Sequence, residues 1–273
     1  MSSRHFHRTP PANCLSAGAH LRRLRQQAGL SQLALSLLTG ISQRHLSCIE
    51  TGRAKASTST LHALLSALDT PLEYSNEVFL AAGYAPRYSA SPLQAPELAM
   101  VDDAISHILQ ANNPAPAIVI ASNWDITAAN VSAGLLFAMV GVQAGVELGL
   151  NLLTTLLGPG GLGDHLVNAD EIRAVAWQRA SREAASHAPL AELLRELPRP
   201  AGLPDNAALA PVVLTRLNTL QGQALTFLST FTTFGMPQDI TVASLRIEHL
   251  IPADAQTWQA MKLAYEQATE VAT

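Results

Sequence analysis

Two short helices joined by a tight turn are written into residues 30–53, LSQLALSLLTGISQRHLSCIETGR, and no other stretch of this 273-residue chain limits the fold as strongly. Ser31 stands just before a run in which Leu33, Leu37 and Leu38 recur at helical intervals, so its hydroxyl is placed to cap that helix. Ser36 is small, as a residue beneath a crossing helix must be. Gly40 supplies a position tolerant of left-handed backbone, which ends the first helix, and Ser42 is placed to cap a second. In that second helix Leu46 and Ile49, three apart, face inward and leave Gln43, Arg44, Ser47 and Cys48 on or near the outer face.

The flanks extend the pattern to five helices. Helical sequence begins near Ala17, with Leu21, Leu24 and Ala28 on one side and Arg22, Arg23, Arg25 and Gln26 on the other, and ends at Gly29. Beyond the paired helices, Thr58 or Ser59 can cap a fourth that contains Leu61, Leu64, Leu65 and Leu68. Pro71 opens a fifth, which carries Leu72, Val78, Phe79 and Leu80 up to Gly83. The expected organisation is a disordered arm over 1–16, an all-α domain over 17–84, a Pro- and Ala-rich linker over 85–96, and a second domain over 97–273.

Gln32, Gly40, Ser42-Gln43-Arg44, Leu46, Ile49, Glu50 and Gly52-Arg53 together resemble the repressor-like helix-turn-helix of the phage-repressor (XRE) family. The resemblance implies a regulator that binds double-stranded operator DNA as a homodimer, with two recognition helices in successive major grooves. Carried over by position, Gln32 and Ser42 hold phosphates, Gln43, Arg44 and Ser47 face base edges, and Arg53 and Lys55 contact the backbone. Gln suits adenine N6/N7 and Arg suits guanine O6/N7, each bidentately. Two positions depart from the family pattern: Cys48 replaces a longer polar residue, and Ala56 stands where proline is common.

Charge supports this division of labour. Residues 1–70 hold eight Lys/Arg against two acids, a formal +6, while the other 203 hold nine against nineteen, a formal −10. A basic head on an acidic body suits a DNA binder whose other half stays off the phosphates. Cys14 and Cys48 read as reduced thiols of a cytoplasmic protein, with Cys48 a candidate redox position because it lies in the presumed recognition helix.

The second domain changes character. A helix over about 97–111 is followed by two strand-like runs, Ala117–Ser122 and Asp125–Ala129, with Asn123-Trp124 between them as a hairpin turn. Apolar helical sequence fills Val131–Leu157 and a further helical block runs from Asp170 to Leu197. Three β-like runs, Val212–Leu220, Leu225–Phe234 and Ile240–Leu250, precede a last helix from about Ala253 to 270. That order predicts an α+β fold, a PAS-like antiparallel sheet with helices on one face.

The segments AIVIASNWDITAANVSAGLLF, NLLTTLL from Asn151, HLVNADE from His165 and LSTFTTFGMPQDITVASLRIEHLIPAD resemble the ligand-binding domain of MmyB-type transcriptional regulators. The resemblance covers residues 17–270 when the head is included. It implies a one-component regulator whose DNA binding answers to a small apolar effector, fatty-acid-like in character. The candidate pocket residues are Phe137, Leu152, Phe227, Phe231 and Leu245. Trp124 and Asn130 are read as packing and capping residues.

Other function classes find little footing. No Cys-x-x-Cys or His-x-x-x-His spacing points to a metal, and no serine or cysteine sits in a nucleophile context, so an enzyme is not expected. The GPGGLGDH turn at 158–165 lacks the Gly-Lys-Ser/Thr ending of a phosphate loop. Val131–Leu157 is interrupted by Gln143, Glu147 and Asn151, which argues against a membrane span. The alternative is a protein-interaction or antitoxin-like adaptor on the same fold. Gln43 and Arg44 weigh against it, because interaction alone gives no reason to keep groove-reading side chains.

Overall fold

The computed structural model describes residues 15–142, 149–184, 187–201 and 212–271. The expected disordered arm up to residue 14, Cys14, and the middle of the Val131–Leu157 block lie outside these residues. The chain forms two compact units, the first made of residues up to Ala90 together with Gln238–Ile240 and the second of the rest. Part of the expected linker is tied down: the Asn76 side chain accepts from the backbone N–H groups of Arg87 and Tyr88 and donates to the Tyr88 carbonyl.

The first unit contains α1 (Ala17–Gln27), α2 (Gln32–Thr39), α3 (Gln43–Glu50), α4 (Thr58–Ala67) and α5 (Leu72–Ala81). The hydroxyls of Ser31 and Ser42 accept from the N–H groups of Ala34 and His45, at 3.0 and 3.3 Å, and so cap α2 and α3 as the sequence predicts. Gly40 ends α2 at φ +70°, a conformation that costs a β-carbon-bearing residue about 1–2 kcal/mol. At α4 the cap is Ser57 rather than Thr58 or Ser59, with its hydroxyl accepting from Thr60 N–H at 3.1 Å. Leu21, Leu35, Leu46, Leu61, Leu64, Val78 and Phe79 form the centre of the core.

Two expectations about buried faces are corrected. Leu33, Leu37 and Leu38 are exposed, and α2 turns Leu35 inward instead, beside Ser36, which is buried as its size predicts. Four leucines in an eight-residue helix allow more than one apolar stripe, and the crossing with the neighbouring helices selects the one through Leu35. Arg25, assigned to the outer face of α1, is buried. It lies beside a close crossing in which a β-carbon at Gly18 would stand 2.3 Å from the Ile49 carbonyl oxygen, so α1 and α3 meet backbone to backbone only because residue 18 is glycine.

Ser31→Ala is expected to cost about 1 kcal/mol by loss of the α2 cap. Leu37→Ser, at a position 77% exposed, should stay within about 0.5 kcal/mol of the parent. Urea denaturation of the full-length chain monitored by circular dichroism checks both.

The second unit is α+β. It comprises α6 (Ala99–Asn112), β1 (Ala117–Ile120), β2 (Ile126–Ala129), α7 (Val131–Met139), α8 (Leu152–Leu157), α9 (Ala169–Glu183), α10 (Ala188–Glu196), β3 (Leu214–Asn218), β4 (Ala224–Thr232), α11 (Ile240–Ser244), β5 (Arg246–Pro252) and α12 (Ala255–Val271). The five strands form one antiparallel sheet in the order β2-β1-β5-β4-β3, with β1 and β5 adjacent at its middle.

Alternation along β1 builds both faces. Ile118 and Ile120 join the larger core with Leu136, Phe137, Leu152, Leu153, Ala176, Leu217, Leu225, Phe227 and Met261. Ala117 and Val119 point to the reverse face, where they meet Ile105 and Leu109 of α6 together with Leu245 and Ile247. Helices therefore cover the sheet on both faces, with α6 on the side opposite the larger core. The run Ile240–Leu250 is not one strand, since Ile240–Ser244 is helical and β5 begins at Arg246. The Asp170–Leu197 block is two helices, α9 and α10. Asn130 caps α7 as predicted, accepting from Ala133 N–H at 2.9 Å, and the same carboxamide also holds Ala117 N–H and the Leu109 and Ala115 carbonyls.

Candidate DNA-reading surface and effector cavity

A buried charge network anchors the C-terminal end of α3. Arg25 donates from Nε and Nη2 to the two carboxylate oxygens of Glu50, at 2.6 and 2.9 Å, and from Nη1 to the Leu30 carbonyl at 2.7 Å. Gln32 Nε2 donates to Glu50 Oε2 at 2.8 Å. This network ties α1, the turn into α2, the start of α2 and the end of α3 to one carboxylate. Burial alone would raise the Glu50 carboxyl, but the hydrogen bonds from Arg25 and Gln32 and the charges of Arg25 and Arg22 hold it below the usual range.

On the outer side of α3, Gln43 and Arg44 are exposed on its first turn and Ser47 is half-buried one turn later. Ser42 is exposed at the cap. After α3, Gly52 at φ +74° turns the chain, and the N–H groups of Arg53 and Ala54 both bond the Cys48 carbonyl, at 2.8 and 3.1 Å. That loop presents Arg53 and Lys55 to solvent, the Lys55 ammonium lying 4.5 Å from the centroid of the Tyr84 ring. Ala56, the position where proline is common, is buried in the core, and Cys48 is a half-buried free thiol. Gln32 is half-buried like Ser47 but differs from the other six candidates in directing one amide N–H at Glu50, so a second N–H is what it can offer outward.

The second unit holds a partly open cavity of about 260 Å³ between the larger-core face of the sheet and the helices over it. Ile118, Leu136, Phe137, Leu152, Leu156, Leu162, Ile172, Ala176, Leu217 and Leu250 make most of its lining apolar. Of the sequence candidates, Phe137, Leu152 and Phe231 line it. Phe227 is fully buried in the adjoining core and does not reach the space. Leu245 is a correction: it precedes β5 and packs on the reverse face against α6. Alternation groups it with Ile247, and the face those two share is the one turned to α6 rather than to the cavity.

One side of the cavity is polar, and the sequence reading did not find it. Arg179 of α9, Ser229 of β4, Glu248 of β5 and Trp124 of the β1–β2 turn all face the space. Trp124, read as a packing residue, sits at φ +70°, an uncommon conformation for a bulky side chain and worth about 1–3 kcal/mol of strain. Its indole Nε1 donates to Glu183 Oε2 at 2.9 Å, and Glu183 Oε1 in turn accepts from Arg179 Nε at 3.1 Å and Arg246 Nη1 at 2.7 Å. The signal available in the sequence was Arg246 and Glu248, two charged residues at same-face spacing on a strand otherwise rich in Ile and Leu.

Among the described residues there is no group of His, Cys, Asp and Glu able to hold a metal ion, and no helix is long and apolar enough to cross a membrane.

Residues 16–75 match the model of a helix-turn-helix domain family, and residues 101–264, more than half of the chain, match the MmyB-like transcription regulator ligand binding domain. Among solved structures, the restriction-modification controller protein C.AhdI from Aeromonas hydrophila is 32% identical over 25% of this chain and 98% of its own, with a TM-score of 0.22. An RNA-binding light-oxygen-voltage receptor is 13% identical, with 92% of this chain and 63% of that chain covered and a TM-score of 0.29. No curated protein matches. The first unit carries a DNA-binding helix-turn-helix domain and the second a ligand-binding domain. The chain belongs to the family of transcription regulators with a MmyB-like ligand-binding domain.

Proposed function

We propose that this regulator is a one-component switch, in which a homodimer binds an operator through two copies of α3 and a small, largely apolar effector in the second unit changes the operator affinity. The observation that carries the reading is the cavity: a mostly apolar space of about 260 Å³ inside a family-defined ligand-binding domain. In the first unit Gln43, Arg44 and Ser47 read base edges in the major groove. Ser42, Arg53, Lys55 and the outward N–H of Gln32 hold phosphates on either side of it. Two-fold symmetry then places the half-sites one helical turn apart, about 34–36 Å.

The dependence of operator affinity on cavity occupancy tests the proposal. The operator is first recovered from a random duplex library by selection with the full-length protein. Its affinity is then measured with the cavity empty and filled.

A further inference from the structure

Part of the connection between β4 and β5 belongs to the DNA-binding unit. The first unit takes in Gln238–Ile240, although the residues on either side of that segment belong to the second, so the chain passes between the units after Ala90 and again at each end of this segment. Ser89 and Asp239 form a parallel β-bridge, in which the Ile240 N–H donates to the Ser89 carbonyl at 2.8 Å. The Ser89 hydroxyl donates to Asp239 Oδ2, also at 2.8 Å, and Asp239 is only 8% exposed. Burying a carboxylate is costly without such donors, which marks this contact as a built feature of the first unit.

On one side the bridge is continuous with the core of the helix-turn-helix unit. Asn76 of α5 holds the backbone of Arg87 and Tyr88, the Tyr88 hydroxyl lies 3.2 Å from His62 Nδ1 of α4, and the Tyr88 ring packs against the core. Ser89 follows directly, so its position is set by α4 and α5. On the other side the chain runs into the walls of the cavity, which Ser229 and Phe231 of β4 and Glu248 and Leu250 of β5 line. The route from β4 passes through Thr233, Gly235 and Met236, all exposed. The route into β5 is α11, which begins at Ile240 itself, followed by Leu245, which is buried against α6. The helical route is the stiffer of the two, because a hydrogen-bonded turn fixes the dihedrals of the residues within it.

We propose that Asp239 is the positioning residue that couples the effector cavity to the DNA-binding unit, with α11 as the arm between them. Filling the cavity displaces its wall strand β5, and α11 delivers that displacement through the Ser89–Asp239 bridge to α4 and α5. Asp239 itself lines neither the cavity nor the α3 surface. The inference rests on the reading of the protein as an effector switch and adds the place where the switch is joined to the head. Coupling along residues 91–96 alone is the competing route, and it leaves Ser89 and Asp239 without a part.

The test is operator affinity of the full-length protein by fluorescence anisotropy, with and without saturating decanoate, a fatty-acid probe. The parent is expected to respond by about 5- to 150-fold. Ser89→Thr keeps the hydroxyl and should keep the response, whereas Ser89→Val, of the same shape without the donor, should cut it to about twofold or less, as should Asp239→Ala. Decanoate affinity by calorimetry and decanoate-free operator affinity should stay within about twofold of the parent in all three, a combination that mere loss of packing would not give. Ser89 is exposed, so the Thr and Val pair decides the matter if Asp239→Ala does not fold. A full response in Ser89→Val overturns the bridge as the route and leaves the effector switch in place. A parent whose operator affinity ignores decanoate overturns the switch, and hydrogen exchange then judges the bridge by itself. Glu50→Ala, which strands Arg25 in the core of the first unit, should speed exchange over residues 239–244 at least about tenfold, and exchange there equal to the parent's would show that the first unit does not hold the segment.

Discussion

Full-length protein carrying Glu50→Ala is expected to lose roughly 3–5 kcal/mol of stability in its helix-turn-helix unit, because the change strands the Arg25 guanidinium inside the core. The Arg25 and Glu50 side chains are 10% and 2% exposed, so water cannot substitute for the missing carboxylate. The damage extends past the ion pair, since Gln32 Nε2 loses its acceptor at the start of α2. Chemical denaturation followed by helical circular dichroism would show an early transition for this unit. The double variant Arg25→Met/Glu50→Leu should recover much of the loss, because a hydrophobic pair removes the stranded charge as well as its partner. A Glu50→Ala midpoint equal to the parent's would show that the pair contributes nothing.

The same pair sets an acid limit. Glu50 is held below its unfolded value of about 4.3, so its contribution is complete above that pH and is lost as the pH falls through the folded-state value. Acidification below about 4 should therefore weaken the first unit in the parent, and the Glu50→Ala variant should lack this part of the acid dependence.

The second large effect falls on recognition. Arg44→Ala is expected to cost about 1–3 kcal/mol of discrimination at one operator base pair, because a bidentate guanidinium contact to guanine is lost while α3 itself, capped by Ser42, stays folded. Arg44 is exposed on the first turn of α3 and contributes nothing to the core, so stability should be unchanged. Arg53→Ala gives the contrasting signature: weaker binding to every sequence alike and a salt dependence shallower by about one unit of slope. Competition gel shifts with single-base operator variants separate the two. Retention of full discrimination by Arg44→Ala would reassign the base reader.

The helix-turn-helix was legible because its signals are local. Ser31, Gly40 and Ser42 act within three residues of themselves through caps and a left-handed turn, and each is found in that role. Arg25 and Glu50 were not legible as a pair, since their contact spans 25 positions and Arg25 falls on what simple periodicity marks as the outer face of α1. The leucine-rich α2 misled for a related reason: its surplus of apolar residues hides the stripe that the neighbouring helices select.

In the second unit, the first two strands and the β1–β2 turn followed from alternation and turn chemistry. The β-branched run from Ile240 did not, because those residues form a helical turn, and tertiary context overrode their strand preference. The polar end of the cavity was hidden for a different reason. Trp124, Arg179, Glu183, Arg246 and Glu248 come from three separate stretches of chain, and only the folded sheet brings them together.

The most direct test of the account is operator affinity of the full-length protein, measured by fluorescence anisotropy with and without saturating decanoate. Coupling between an effector site and a DNA site is typically about 1–3 kcal/mol, so the account predicts a change of about 5- to 150-fold. An operator affinity that stays constant within about twofold, while calorimetry shows the cavity filled, would contradict it.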